Sequence, residues 1–237
     1  MSNRSRILLL LLSLPLIALL VGLGVWQVER RTWKLDLIAK VEARVHAPAS
    51  DAPPKAQWAE VDAGSDEYRH VSLTGTFLND KETLVQALTD LGGGFWVLTP
   101  LQAADGSITL VNRGFVPQEK RDASTRPAGQ ITGEGTVEGL LRMSEPGGGL
   151  LRANDPATDR WYSRDVAAIA ARRGLANVAP YFVDADATPN PGGYPVGGLT
   201  VVRFNNNHLV YALTWFSLAI MLAGATIYAL RHDRNKP

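Results

Sequence analysis

Residues 205–216 read NNNHLVYALTWF and place His208 where a polar run turns apolar. An imidazole there can offer a ring nitrogen to a metal-bearing group, or it can anchor a helix at a membrane surface among interfacial aromatics. On a helix, Tyr211, Ala212, Trp215 and Ala219 follow His208 on one face at three- and four-residue steps. Small Ala212 and Ala219 leave room for a flat ligand or a close partner helix, and Trp215 offers a ring to stack on. Asn206 or Asn207 would cap such a helix. Arg113 in VNRGFVP is a second candidate; its simpler reading is an arginine paired with a carboxylate at a strand end, with Gly114 permitting a bulge.

Other chemistry is hard to find. The chain has no G-x-S-x-G, H-E-x-x-H, Walker or G-x-G-x-x-G pattern. His46 and His70 stand alone, without a second ligand at metal-binding spacing. Charges between the apolar runs are dispersed and form no basic stripe, which argues against nucleic acid as a partner. The absence of cysteine excludes a disulfide framework and a thiolate metal site.

The elements that must position His208 are set by two apolar runs. Residues 7–26 and 209–230 carry no charge over twenty and twenty-two positions, and each can cross a hydrocarbon core of about 30 Å. The first run lacks an A-x-A cleavage site and passes through Trp26 into the charged VERRTWK, which reads as an uncleaved anchor. Arg4 and Arg6 before the first run, and Arg231, Arg234 and Lys236 after the second, predict tails 1–6 and 231–237 in the cytoplasm. Arg30, Arg31 and Lys34 pull the other way. Residues 27–208, with 19 Lys and Arg against 22 Asp and Glu, then lie on the far side. A bacterial plasma (inner) membrane crossed twice, with the main domain periplasmic, fits best.

Within the loop, Trp33, Leu37, Val41 and Val45 recur at four-residue steps and predict a helical extension over 27–46, ended by APASDAPPK. Residues 47–204 then alternate. YRHVSLTGTFL, TLVQALT, GFWVLTPL, SITLVNRGFV, GTVEGLLRM, PYFVDAD and LTVVRF are predicted strands, and Asp105-Gly106 marks a hairpin. One short helix over 164–173 is expected, with Ser163 as N-cap and Gly174 as its stop. The expected fold is an α+β membrane protein: a small antiparallel β domain or barrel with one short helix, held between transmembrane helices at 7–26 and 208–230. Ala18 and Gly22 in the first, and Ala219, Ala223 and Gly224 in the second, mark possible helix contacts, with each other or with a partner.

GVWQVERRTWKLDLIAKVEAR, YRHVSLTGTF, GFWVLTPL with LVNRGFVP, WYSRDVAAIA, PYFVDAD, GGLTVVRF and NNNHLVYALTWFSLA together resemble the signature blocks of the Surfeit locus protein 1 family, in family order over residues 22–219. That resemblance implies a non-enzymatic assembly factor for haem-copper terminal oxidases, chiefly cytochrome c oxidase. It implies transient binding of haem a, with oxidase subunit I, haem a synthase and membrane lipid as partners. The family's haem-linked histidine matches His208, which would be the axial ligand, with Tyr211 and Trp215 beside it. Phe216 stands where a tyrosine is frequent and removes a hydroxyl. The alternative is a scaffold that stabilises immature oxidase subunits without haem.

The charged flanks generate a topology test. Alkaline phosphatase joined near Ser107 should be active, and joined after Lys236 it should be silent; an active carboxy-terminal fusion overturns the orientation.

Overall fold

The computed structural model describes residues 3–149, 151–202 and 204–234. Residues 1 and 2 of the expected first tail, Arg203 in the expected last strand, and Lys236 lie outside them. The chain forms two compact units, the β domain Val41–Val202 and a second that holds the long helices. The α-helices are α1 (Asn3–Val45), α2 (Val166–Arg173) and α3 (His208–Arg234). The strands are β1 (Ser50–Asp51), β2 (His70–Phe77), β3 (Thr83–Thr89), β4 (Gly92–Gln102), β5 (Ile108–Pro117), β6 (Glu134–Met143), β7 (Gly148–Gly149), β8 (Arg152–Ala153) and β9 (Val178–Ala185).

α1 and α3 are both long and apolar enough to cross a membrane, which fits a membrane protein. At about 1.5 Å per residue, α1 is roughly twice as long as a hydrocarbon core is thick, so its second half extends beyond one.

Seven strands form one sheet in the order β1-β2-β6-β9-β5-β4-β3. A short pairing of Thr76 and Phe77 with Gln102 and Leu101 joins β2 to β4 and closes a barrel-like ring. The sheet is antiparallel apart from the parallel pairs β1–β2 and β5–β9. β9 enters beside β5 only after the chain has passed through β6 and α2, and its other neighbour, β6, is antiparallel to it. The expected β4–β5 hairpin forms: Gly106 takes φ +77°, and the Asp105 carboxylate accepts from Ser107 N and Oγ.

Alternation decides what each face of the sheet covers. Leu98, Leu110 and Phe182 pack with Trp161 and with Val166 and Ile169 of α2. Val111, next along β5, packs instead with Phe77 and Leu101, against Leu73, Val137 and Ala185. Asn112 and Asp184 belong to the first of these faces and are buried.

Asp184 takes four donors. Asn112 Nδ2 donates at 2.7 Å, Arg142 Nη1 at 2.9 Å, Arg164 Nη1 at 3.2 Å and Thr200 Oγ1 at 2.9 Å. One carboxylate thereby ties β5, β6, the entry to α2 and the segment after β9.

Two sequence expectations change for reasons visible here. The short helix starts at Val166, and its N-cap is Asp165, whose carboxylate accepts from Ala168 N; Gly174 stops it in the left-handed region. Ser163 lies two residues before the cap, with its hydroxyl accepting from Asn154 Nδ2 and donating to Glu145 O, while Arg164 is drawn to Asp184 and Glu145. LTVVRF is not a strand in its described residues. Both edges of β9 are already paired, by β5 and β6, and Thr200 is held by its side chain.

Asp184→Asn keeps the shape but leaves two guanidinium groups without their shared charge. It should lower the stability of the full chain by about 3–5 kcal/mol, read as a drop of roughly 10 °C or more in thermal melting. Removing the solvent-facing Arg160–Asp155 pair with Arg160→Ala should cost less than about 1 kcal/mol. Equal effects would refute the central role of Asp184.

Candidate functional site

The site is built where α1 and α3 meet. Along α1 the covered positions include Leu10, Ser13, Ile17, Leu20, Gly24, Gln27, Arg31 and Lys34, which follow one another in alternating three- and four-residue steps. Along α3 they include His208, Ala212, Trp215, Phe216, Ala219 and Thr226. The two helices meet in a seam, at Gly24 with Phe216 and at Gln27 with His208, and the covered positions form one stripe along each helix.

Gly24 lies under the Phe216 ring, where a Cβ would come within 2.5 Å of a ring carbon. The phenyl group thus serves as packing, and a hydroxyl is not required of it. Ala219 and Ala223 lie in the seam as expected; Ala18, Gly22 and Gly224 do not, being exposed. Gly24, two residues beyond Gly22, is the glycine that the neighbouring ring covers, and the exposed Ala18, Gly22 and Gly224 stand where only the other expected contact, with a partner, would use them.

His208 is the first residue of α3. Asn207 precedes it, and its carbonyl accepts from Tyr211 N at 3.2 Å, which puts Asn207 in the capping position. The imidazole is half-buried, and its Nδ1 lies 2.7 Å from Gln27 Oε1. With the Gln27 amide oxygen turned toward it, a neutral imidazole donates from Nδ1. In that tautomer the lone pair lies on Nε2, and the ring is oriented by a side chain that is itself only 8% exposed. Sequence reading missed Gln27. Its one signal was an uncharged polar residue next to Trp26, at the end of an apolar run.

Tyr211 and Trp215 follow on the outward side of the seam. Tyr211 is 54% exposed and Trp215 is half-buried. Ala212 is buried in the seam, so the space its small side chain leaves is already covered. Beyond Gln27, Arg31 and Lys34 continue the same face at four and seven residues, and Arg30 stacks over Trp33 with its guanidinium carbon 3.8 Å from the ring centroid. Lys34 Nζ sits 5.3 Å from the centroid of Phe204. An imidazole oriented by a hydrogen bond, with aromatic residues farther along its own helix and cationic residues on the facing stripe of α1, is the kind of set that can hold a flat apolar group with a metal and anionic arms.

His46 and His70 are used otherwise: His46 Nδ1 lies 2.9 Å from Glu42 O, and His70 Nδ1 lies 2.9 Å from Ala47 O. Arg113 does not meet the carboxylate expected for it. Its guanidinium donates to Gly129 O and Asn190 Oδ1 instead.

A family model described as the SURF1 family matches residues 14–220. A SURF1-like protein of Monosiga brevicollis is 36% identical over 240 residues, which cover 95% of this chain and 88% of the relative. Surfeit locus protein 1 of Rattus norvegicus is 38% identical over 213 residues, covering 83% and 67% of the two chains. That of Homo sapiens is 37% identical over 226 residues, covering 88% and 72%. With the family model and these relatives matching along most of its length, the chain belongs to the SURF1 family.

Proposed function

We propose that this protein is a non-enzymatic assembly factor for a haem-copper terminal oxidase, cytochrome c oxidase, which holds haem a at the periplasmic membrane boundary and helps to place it in subunit I. The observation that carries the reading is the His208–Gln27 hydrogen bond. With Nδ1 donating to the Gln27 amide oxygen, Nε2 would be the nitrogen offered to iron.

Family membership supports the assembly role, and the residues present fit the cofactor. His208 would supply the axial nitrogen, and Gln27 holds its ring at a fixed angle. Trp215 and Tyr211 would flank the macrocycle. Arg31 and Lys34, on the same face as Gln27, put positive charge within reach of anionic propionates. Haem a, when bound, supplies the iron centre that the finished oxidase needs. The protein's own part is to bind, orient and release it, for which a single axial ligand at an open helix pair suits better than an enclosed pocket. The anchor would lie in a bacterial plasma membrane with both termini cytoplasmic. Haem a synthase is the natural donor and subunit I the recipient.

Full-length protein purified in detergent from haem a-producing cells should carry a haem absorption band. His208→Ala should insert in the membrane normally yet lose at least about nine-tenths of the haem, since alanine offers no ligand. His208→Met should shift the spectrum while retaining part of the occupancy, because a thioether also ligates iron. Gln27→Leu should weaken haem retention by about 10- to 100-fold, the range for loss of a ligand-orienting hydrogen bond. Full occupancy and an unchanged spectrum in His208→Ala would remove the ligand assignment; no haem in the wild-type protein, with oxidase assembly still dependent on it, would favour a scaffold.

A further inference from the structure

A second site lies in the β domain and is independent of the haem reading. Arg113, on β5, is 2% exposed. It sits at a bulge: Trp96 pairs with Phe115 and Leu98 with Asn112, so β5 holds one residue more than β4. Gly114 permits this with φ +124°, where a Cβ would collide with the Val196 carbonyl. The bulge sets the guanidinium in the wall of a cavity of about 320 Å³.

The charge there is poorly matched. Nη2 donates to Gly129 O at 2.6 Å and to Asn190 Oδ1 at 2.9 Å, and the guanidinium carbon lies 4.6 Å from the centroid of the Phe77 ring. Nη1 is buried with no partner among the described residues, just behind the cavity surface that Arg113 helps to form. The neighbouring carboxylate, Glu82, is taken by Arg126 through both of its oxygens. A buried cation without a counter-ion is costly, by several kcal/mol in proteins generally. Burial pushes Arg113 down to about 10, with Glu82 opposing that shift and Arg126 adding to it; the group stays charged at neutral pH. Holding two loops needs only the bonds Nη2 makes, which leaves Nη1 as a donor for something else.

The rest of the wall says what that is. Phe77, Val111 and Val137 give an apolar lining, while Glu138 and Asp186 also border the space. Glu138 is exposed and Asp186 accepts from Thr188 N, so their charges are weakened by water and by hydrogen bonding, whereas Arg113 acts from the interior. Barrel mouths are common ligand sites, and this volume is at the lower end of their range.

We propose that the cavity binds a small carboxylate, its hydrocarbon body against Phe77, Val111 and Val137 and its carboxylate paired with Arg113. The probes are cyclohexanecarboxylate, neutral cyclohexylmethanol and inorganic phosphate, titrated calorimetrically into the full chain in lipid nanodiscs. Cyclohexanecarboxylate should bind one-to-one and at least about tenfold more tightly than the alcohol, as a charge-assisted hydrogen bond is added. Arg113→Gln should abolish that preference. Val137→Phe, which fills the space and leaves the guanidinium alone, should weaken both organic probes at least about tenfold. Glu138→Gln, on an exposed side chain, should tighten the carboxylate by about two- to threefold by removing a like charge.

Equal binding of carboxylate and alcohol overturns the proposal, as does a preference that survives Arg113→Gln or binding untouched by Val137→Phe. Phosphate bound as tightly as the organic acid would mean a site for an inorganic anion and would overturn the apolar half. If Arg113→Gln fails to fold, the opposite changes expected of Val137→Phe and Glu138→Gln decide the matter.

Discussion

A single buried carboxylate, Asp184, organises the β domain. Two arginines, an asparagine and a threonine converge on it from four parts of the chain, and its side chain is 2% exposed. Such a cluster stabilises only when every member is satisfied, because removing one leaves the others desolvated and unpaired. Its placement on the α2-facing side of the ring explains why the short helix starts one residue after Asp165: Arg164 is already committed to Asp184 and Glu145, so the turn of helix begins beyond it. The same contact accounts for the irregular path of the segment that carries Thr200.

Arg113 shows the opposite arrangement one residue along β5. Strand alternation and the Gly114 bulge turn it away from the Asp184 cluster, into a wall where a ring, a carbonyl and an amide replace a carboxylate. Asn112 and Arg113 are adjacent and both buried, yet one completes a neutralised network and the other lines a cavity and keeps a buried donor without a partner among the described residues. That contrast sets Arg113 apart from the domain's structural ion pairs.

The helix pair solves a different problem. Apolar side chains cannot orient an imidazole, and in a seam of small and aliphatic residues a polar group needs a specific partner. Gln27 provides it for His208, while Gly24 lets the Phe216 ring lie against α1. The geometry at the boundary thus depends on one hydrogen bond and one glycine, and both come from the helix that carries no candidate ligand.

By itself the sequence determined the elements whose cause is local or periodic. Two long uncharged runs made two long apolar helices, alternating segments made strands, Asp105-Gly106 made a hairpin and Gly174 ended a helix. The place of His208 at the start of the second long helix was legible for the same reason, since an imidazole at a polar-to-apolar junction stands out in one dimension. What required the tertiary structure was every choice of partner across the chain. Gln27 lies 181 positions from His208, Asn190 lies 77 from Arg113, and Asn112 lies 72 from Asp184. No periodicity encodes such separations, because side-chain repeats report only the face an element presents. Which group occupies the other side is decided when the ring closes and the seam packs. There LTVVRF lost its place as a strand to edges already paired, and Gly24, rather than Gly22, came to lie under the Phe216 ring.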